Sequence, residues 1–124
     1  MSKFRVLLVY PNLQMVNLLP SNVSILSACL RKADIDVKLF DTTFYRTAEK
    51  SVDDVRVEHM QLRPFDLKEK GIVYKATDVF EDFRRLIDEY KPNLIGVTAT
   101  DDTFDFGIEL VSSVRHKDIF TIVG

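Results

Sequence analysis

The sequence predicts an α/β protein with an open parallel sheet of flavodoxin-like (Rossmann-like) type, three layers deep, with strand order 2-1-3-4. Short apolar strands alternate with segments of helical length, which is typical of right-handed βαβ units. The run FRVLLVY is almost continuously apolar and rich in β-branched residues. Such a run indicates a first strand that is buried on both faces of a parallel sheet.

The elements after the first strand follow in a regular order. Ser21 is a candidate N-cap for a helix near Asn22 to Ala33, which ends in two cations as the helix dipole favours. DVKLFD, Asp36 to Asp41, is the second strand. A second helix is predicted near Asp78 to Lys91, because its apolar residues recur on one face and Pro92 ends the pattern.

The last third of the chain repeats the alternation. NLIGVTA, Asn93 to Ala99, is a third buried strand. Asp102 or Thr103 can cap a third helix, predicted near Thr103 to His116. FTIVG then begins a fourth strand.

One segment departs from this pattern. Thr42 to Ala76, called the insertion below, is unusually long for a connection inside a compact domain. We interpret it as a functional lid or as a segment with structure of its own. Val55 to Leu62 is a candidate for a short strand or a helical turn within it.

Composition restricts the class of protein. A chain of 124 residues corresponds to one domain, and its net charge of −2 provides no basic surface for phosphates, so nucleic acid is not an expected partner. No apolar run approaches the ~20 residues that span a bilayer, and no signal peptide is recognisable, so no membrane association is expected and cytoplasm is the expected location.

The cysteine and the two histidines point away from metal chemistry. Cys29 is the only cysteine, so it can form neither an internal disulfide nor a multi-thiolate site, and its helical setting predicts a small buried apolar residue. His59 lies in the insertion and His116 in the last turn of a predicted helix, where a cation is favoured without a metal. We expect neither to bind a metal.

Three loops are candidates for a binding site, because ligands of open α/β sheets bind at the carboxyl ends of the strands. They are Tyr10 to Ser21, Asp41 to Tyr45 and Thr98 to Asp105. The first contains neither a dinucleotide-binding glycine turn nor a P-loop. Asp41 can accept hydrogen bonds from ligand hydroxyls, or it can form a turn. Apolar residues in the first loop can likewise simply cover the end of the sheet.

Four stretches together resemble a known family. They are RVLLVYPN, LPSNVSILSACLRKADIDVKLFD, KPNLIGVTATDD and TIVG. In this order they are similar to the amino-terminal cobalamin-binding domain of cobalamin-dependent radical S-adenosylmethionine (SAM) proteins. The resemblance covers most of the chain outside the insertion.

The resemblance implies a cofactor site at the loops just described. Related corrinoid domains carry D-x-H-x-x-G after the first strand, and its histidine coordinates cobalt; no histidine lies between Tyr10 and Ser21. The loop is therefore expected to cover the lower face of cobalt without coordinating it, while Thr98 and Thr100 approach the nucleotide tail. The residues assigned to cofactor binding are Pro11, Asn12, Leu13, Met15, Val16, Asn17, Ser21, Asp41, Thr42, Thr98, Ala99, Thr100 and Gly124.

The resemblance also implies a larger parent enzyme. A [4Fe–4S] cluster of radical type needs three cysteine thiolates, so the cluster, SAM and any catalytic residue are expected in a missing C-terminal radical SAM domain. In the family the fourth strand continues into a second glycine, a loop, a helix and a fifth strand, so we expect the domain to be incomplete beyond Gly124, and to bind cobalamin weakly or not at all in this form. The edge left at Ile119 to Val123 is expected to self-associate, most simply as a two-fold dimer.

Two other functions remain open at this stage. A signalling receiver domain has the same alternation, but needs an acidic pair after the first strand and a phosphorylatable Asp ending the third. Tyr10 with Pro11 and Thr98 stand at those places, and Asp101 and Asp102 are displaced into the loop. The other alternative is an interaction module that has lost its ligand.

Overall fold

The computed structural model describes residues 3–14, 20–47 and 50–124. Four strands form one sheet whose pairs are all parallel, in the order β2-β1-β3-β4, so the predicted flavodoxin-like order is confirmed. The strands are Arg5–Tyr10 (β1), Asp36–Asp41 (β2), Leu94–Val97 (β3) and Phe120–Val123 (β4). The described helices are Ser21–Lys32 (α1), Val52–Glu58 (α2), Val79–Tyr90 (α3) and Phe104–Ser112 (α4).

The two faces of the sheet are covered unequally. Alternate residues of β1 point to opposite faces, because side chains alternate along a strand. Leu7 and Val9 pack with α3 and α4 in the larger core cluster, which includes Phe83 and Leu110. Val6, Leu8 and Tyr10 pack with Val23 of α1 in a smaller one. Val6 to Tyr10 are all buried, as the sequence predicts for the central strand.

The ends of α3 follow from its flanking residues. The Asp78 side chain accepts hydrogen bonds from the backbone N–H groups of Phe80 at 2.9 Å and Glu81 at 3.0 Å, which satisfies donors that the first turn leaves unpaired. Lys91 at the other end is left-handed, with φ 50°, and Pro92 follows. The helix therefore lies within the predicted range, Asp78 to Lys91.

The start of α1 corrects one prediction. Pro20 occupies the N-cap position, and no side chain caps the helix, so the prediction that Ser21 is the N-cap is wrong. Ser21 is instead the first helical residue and is exposed. The reason is that Pro20, with φ −77°, already directs the chain into the helix. Arg31 and Lys32 lie in the last turn, as predicted.

Cys29 corrects a second prediction, because its side chain is exposed. The sheet-facing positions of α1 are Val23, which is buried, and Leu30, which is half-buried. Cys29 is six residues after Val23, so it lies about 120° away around a helix of 3.6 residues per turn. Cys29 therefore lies on a side of α1 that does not face the sheet, and the prediction that it is buried is wrong.

The insertion has structure of its own. It contains α2, whose start is closed by a capping box in which Ser51 and Asp54 bond each other's backbone N–H, and a short 3-10 helix, Lys68–Lys70. The expected helical turn near Val55 to Leu62 corresponds to a helix that begins and ends earlier. A parallel bridge between Tyr45 and Lys75 brings the two ends of the insertion together.

The described helices are short. The longest, α1 and α3, have 12 residues each. None of the helices in residues 3–14, 20–47 and 50–124 is long and apolar enough to cross a membrane.

Candidate functional site

A polar network joins the loops that follow β1 and β2. The Thr42 hydroxyl donates to the backbone oxygen of Asn12 at 2.8 Å, and the Asn12 side-chain amide donates to the Thr43 hydroxyl at 2.9 Å. The Thr43 hydroxyl and backbone N–H both approach a carboxylate oxygen of Asp41, at 2.5 and 2.9 Å. The two loops are thus cross-linked at the carboxyl edge of the sheet, as their positions at the ends of paired parallel strands predict.

This network is buried. Asn12 is 2% exposed and Thr42 is 0% exposed, so their polar groups serve the chain's own hydrogen bonds. Pro11 is also buried, against Gly107 of α4. Asp41 is half-buried. Its carboxylate accepts a hydrogen bond from the Thr43 N–H, which forms a turn, and it also places a negative charge near the candidate site.

The loop after β1 presents a residue that the sequence analysis did not select. Gln14 is 8% exposed, and its side-chain oxygen Oε1 has no hydrogen-bond partner among the described residues. A buried amide oxygen is usually paired, so this acceptor stands out. Leu13 beside it is half-buried. The assigned residues Met15, Val16 and Asn17 lie outside the described residues.

A second part of the site lies at the ends of β3 and β4. The backbone N–H of Thr98 donates to the Val9 oxygen at 3.0 Å, which ties the end of β3 to β1. Ala99 and Gly124 are joined in the same way, with the Ala99 N–H bonded to the Gly124 oxygen at 3.0 Å. Thr98, Ala99 and Gly124, all assigned from the sequence, therefore lie together.

These three residues line an apolar groove of about 620 Å³ on the face of the sheet that carries α1. Its floor includes Leu8 and Gly96, and Ile25 and Leu26 of α1 form a wall. Ile25 is 64% exposed and Leu26 is 44% exposed, which is unusual for large apolar side chains next to a sheet. The remaining lining residues are Val6, Asn22, Leu30, Leu94, Val97 and Ile122.

Thr100 lies at the start of a short helix. It precedes the 3-10 helix Asp101–Thr103, and its N–H donates to the Thr103 hydroxyl at 3.0 Å in a capping box. Thr100 does not line the groove. Ser21, also assigned, is exposed at the start of α1 and is likewise not among the groove residues.

Tyr10 is a titratable residue that ends β1 at this edge of the sheet. Burial raises the pKa of Tyr10, and the nearby Asp41 carboxylate raises it further. His59 and His116 are both exposed. Among the described residues, no group of three or more His, Cys, Asp or Glu side chains is arranged to hold a metal ion.

The fold and the site together define a flavodoxin-like α/β domain with an apolar groove and a buried polar network at the carboxyl ends of its strands. Comparison with known protein families, with characterised proteins and with solved structures finds no match to this chain.

Proposed function

We propose that this chain is a corrinoid-binding module, which holds cobalamin without a histidine ligand below the cobalt. The observation that carries the proposal is the apolar groove, because three of the residues assigned from the family resemblance, Thr98, Ala99 and Gly124, line it. The alternative reading as a receiver domain gains no support, since Asp101 and Asp102 are exposed in a 3-10 helix rather than gathered with other acidic groups.

The groove has properties that suit the nucleotide tail of cobalamin. Its volume of about 620 Å³ lies within the range of small-molecule pockets, and its lining is mainly aliphatic, which suits a flat aromatic base. Gly96 keeps the floor low: a Cβ at this position would lie 3.3 Å from Leu8 Cδ2. Thr98, which also lines the groove, carries a hydroxyl.

The loop after β1 has properties that suit the lower face of the corrin ring. Its described part offers Leu13 as an apolar surface and Gln14 Oε1 as a buried acceptor that lacks a partner among the described residues. The corrin ring carries amide side chains whose N–H groups are donors of the kind this acceptor needs. The loop contains no imidazole.

When bound, cobalamin would supply alkyl-transfer chemistry at cobalt, while this chain's residues bind the cofactor and exclude water from it. In this proposal catalysis belongs to a radical SAM domain, with its [4Fe–4S] cluster and SAM, elsewhere in a cytoplasmic parent enzyme. No catalytic role is proposed for any residue of the chain.

The direct test is a titration of the 124-residue chain with aquacobalamin and with cobinamide, which lacks the nucleotide tail, followed by equilibrium dialysis. We expect cobalamin to bind more tightly than cobinamide. Leu26→Trp should fill the groove and weaken cobalamin binding by about tenfold. Ala28→Trp is the matched control, because Ala28 is exposed on the same helix and does not line the groove.

A second measurement tests whether a nitrogen atom of the protein coordinates cobalt. Electron paramagnetic resonance of the reduced Co(II) form should show no nitrogen coupling from the protein. Equal retention of cobinamide and cobalamin would overturn the proposal, and so would no retention of cobalamin by a chain extended through the fifth strand that the resemblance implies. A histidine signal would overturn its lower-face part. Labelling by acetyl phosphate with magnesium would favour the receiver domain instead.

A further inference from the structure

Gln14 lies in the turn that follows β1, at the carboxyl edge of the sheet. The backbone just before it is fixed on two sides. The Asn12 oxygen accepts a hydrogen bond from the Thr42 hydroxyl at 2.8 Å. Pro11 packs against α4, where a Cβ at Gly107 would lie 3.1 Å from Pro11 Cγ. Since ligands of open α/β sheets bind at this edge, Gln14 follows a fixed segment at the place where a ligand is expected.

The Gln14 side chain holds a buried acceptor that lacks a donor. The side chain is 8% exposed, and its Oε1 atom has no hydrogen-bond partner among the described residues. Asn12 in the same loop is also buried, but its amide donates to the Thr43 hydroxyl. An amide oxygen that is buried without a partner costs free energy, because its bonds to water in the unfolded chain are not replaced. A donor supplied by a ligand would recover that cost.

The surroundings of Gln14 favour a neutral donor over an anion. The loop from Tyr10 to Ser21 contains no Lys, Arg or His that could pair with a carboxylate. The charge that is joined to this loop by hydrogen bonds is the Asp41 carboxylate, which binds the Thr43 hydroxyl and, through it, the Asn12 amide. An anionic ligand group would therefore meet a negative charge and an unpaired acceptor at this edge.

We infer that Gln14 Oε1 selects the ligand by accepting a hydrogen bond from one of its amide N–H groups, and that it rejects a carboxylate in the same place. The inference rests on the proposed function, since the corrin ring carries primary amides at its periphery. A carboxylate offers acceptors only, so it would leave Oε1 unpaired and would lose its own water. Gln14 is thus a specificity-determining residue, and no catalytic role follows from its position.

The first test needs no ligand. Gln14→Met keeps a side chain of similar length and removes the unpaired oxygen, so the midpoint of urea unfolding, followed by circular dichroism, should stay the same or rise. Asn12→Leu is the contrast, because it removes a paired amide from the same loop, and its midpoint should fall. Gln61→Met is the matched control at an exposed glutamine of the insertion, and its midpoint should not change.

The second test compares cyanocobalamin with its b-, d- and e-monocarboxylic acids, each of which has a carboxylate in place of one peripheral amide. Equilibrium dialysis is done with the chain that retains cobalamin in the titration above. We expect at least one acid to bind about tenfold more weakly than cyanocobalamin. Gln14→Met should weaken cyanocobalamin binding by about tenfold and narrow its difference from that acid. Gln61→Met should bind all four corrinoids as the unmodified chain does.

The outcomes separate this inference from the proposed function. If none of these proteins binds cyanocobalamin, the proposed function is overturned, and the urea midpoint decides the inference on Gln14. A midpoint of Gln14→Met that falls as far as that of Asn12→Leu would overturn the inference, because Oε1 would then have a partner within the folded chain. Equal affinity for all four corrinoids, or the same differences in the unmodified chain and in Gln14→Met, would also overturn it. So would a preference for an acid, because the buried atom would then be a donor.

Discussion

Tyr45 anchors the insertion to α3, and removing its hydroxyl group should destabilise the fold. The side chain is 2% exposed, and its hydroxyl donates to Asp82 Oδ2 at 2.8 Å. The ring packs on Phe40 with centroids 6.0 Å apart, and Lys75 Nζ lies 4.7 Å from its centre. Tyr45→Phe keeps both ring contacts, so the variant isolates the hydroxyl.

The size of the stability loss depends on the hydrogen-bond partner of the Tyr45 hydroxyl, which is the charged Asp82 carboxylate. A hydrogen bond to a charged group contributes about 1.5 to 3 kcal/mol. Asp82 keeps a second bond, from the Thr77 hydroxyl, and part of its carboxylate is open to water, so the low end applies. We expect the free energy of unfolding to fall by about 1.5 kcal/mol. For a chain of this size that lowers Tm by about 6 °C.

The assay is urea unfolding followed by circular dichroism, with Tyr74→Phe as the matched control. Tyr74 lies in the same insertion, and its hydroxyl makes no hydrogen bond within the part of the chain that the structure describes. A double-mutant cycle with Asp82→Ala should give a coupling of about 1 kcal/mol. An effect of Tyr45→Phe no larger than that of Tyr74→Phe, or an additive cycle, would refute the reasoning.

The same contact has a pH dependence. Burial, and then the bond to Asp82, raise the pKa of Tyr45 well above its usual value. Above about pH 10 the unfolded chain loses this proton while the folded chain keeps it, so this stabilisation is complete below pH 10 and is lost as the pH rises. The stability difference between wild type and Tyr45→Phe should therefore shrink in alkaline urea titrations. A stability difference between the two proteins that stays constant from pH 7 to 11 would contradict this prediction.

Three further predictions test other parts of the fold. Asp78→Ala removes the N-cap of α3 and should lower the unfolding free energy by about 1 kcal/mol in urea titrations, whereas Asp78→Asn should nearly restore it. Gly107→Ala places a Cβ 3.0 Å from Val97 Cγ1 and 3.1 Å from Pro11 Cγ, so it should cost about 1 to 3 kcal/mol by the same measurement. Cys29 is exposed and should react with a thiol reagent in the native state as fast as in urea; protection would contradict its placement.

Strand order and core could be predicted from the sequence, because they depend on strong, repeated signals. The continuous apolar run of β1 can only be buried on two faces, and the helix lengths between strands favour parallel pairing. The start of α1 could not be predicted in the same way. Pro20 and Ser21 are both good residues for a helix start, and the choice between them depends on backbone angles that the sequence does not state.

The convergence of the candidate loops at one edge of the sheet could be predicted, but the burial of their residues could not. The convergence of Thr98, Ala99 and Gly124 follows from parallel strands ending at one edge. The burial of Asn12 and Thr42 does not follow, because it depends on a cross-link between loops 30 residues apart in sequence. Gln14 was not selected, since an isolated glutamine gives no pattern; what distinguishes it is a buried oxygen that has no hydrogen-bond partner among the described residues.

The unequal covering of the sheet has a consequence for its motions. α3 and α4 hold one face through the larger cluster, whereas α1 holds the other through one buried side chain, Val23, and the half-buried Leu30. Segments with few buried apolar contacts open at lower free energy than the rest of a fold. We therefore expect α1 to detach at a lower free energy than α3 and α4, and each such opening would widen the groove while the opposite layer stays intact.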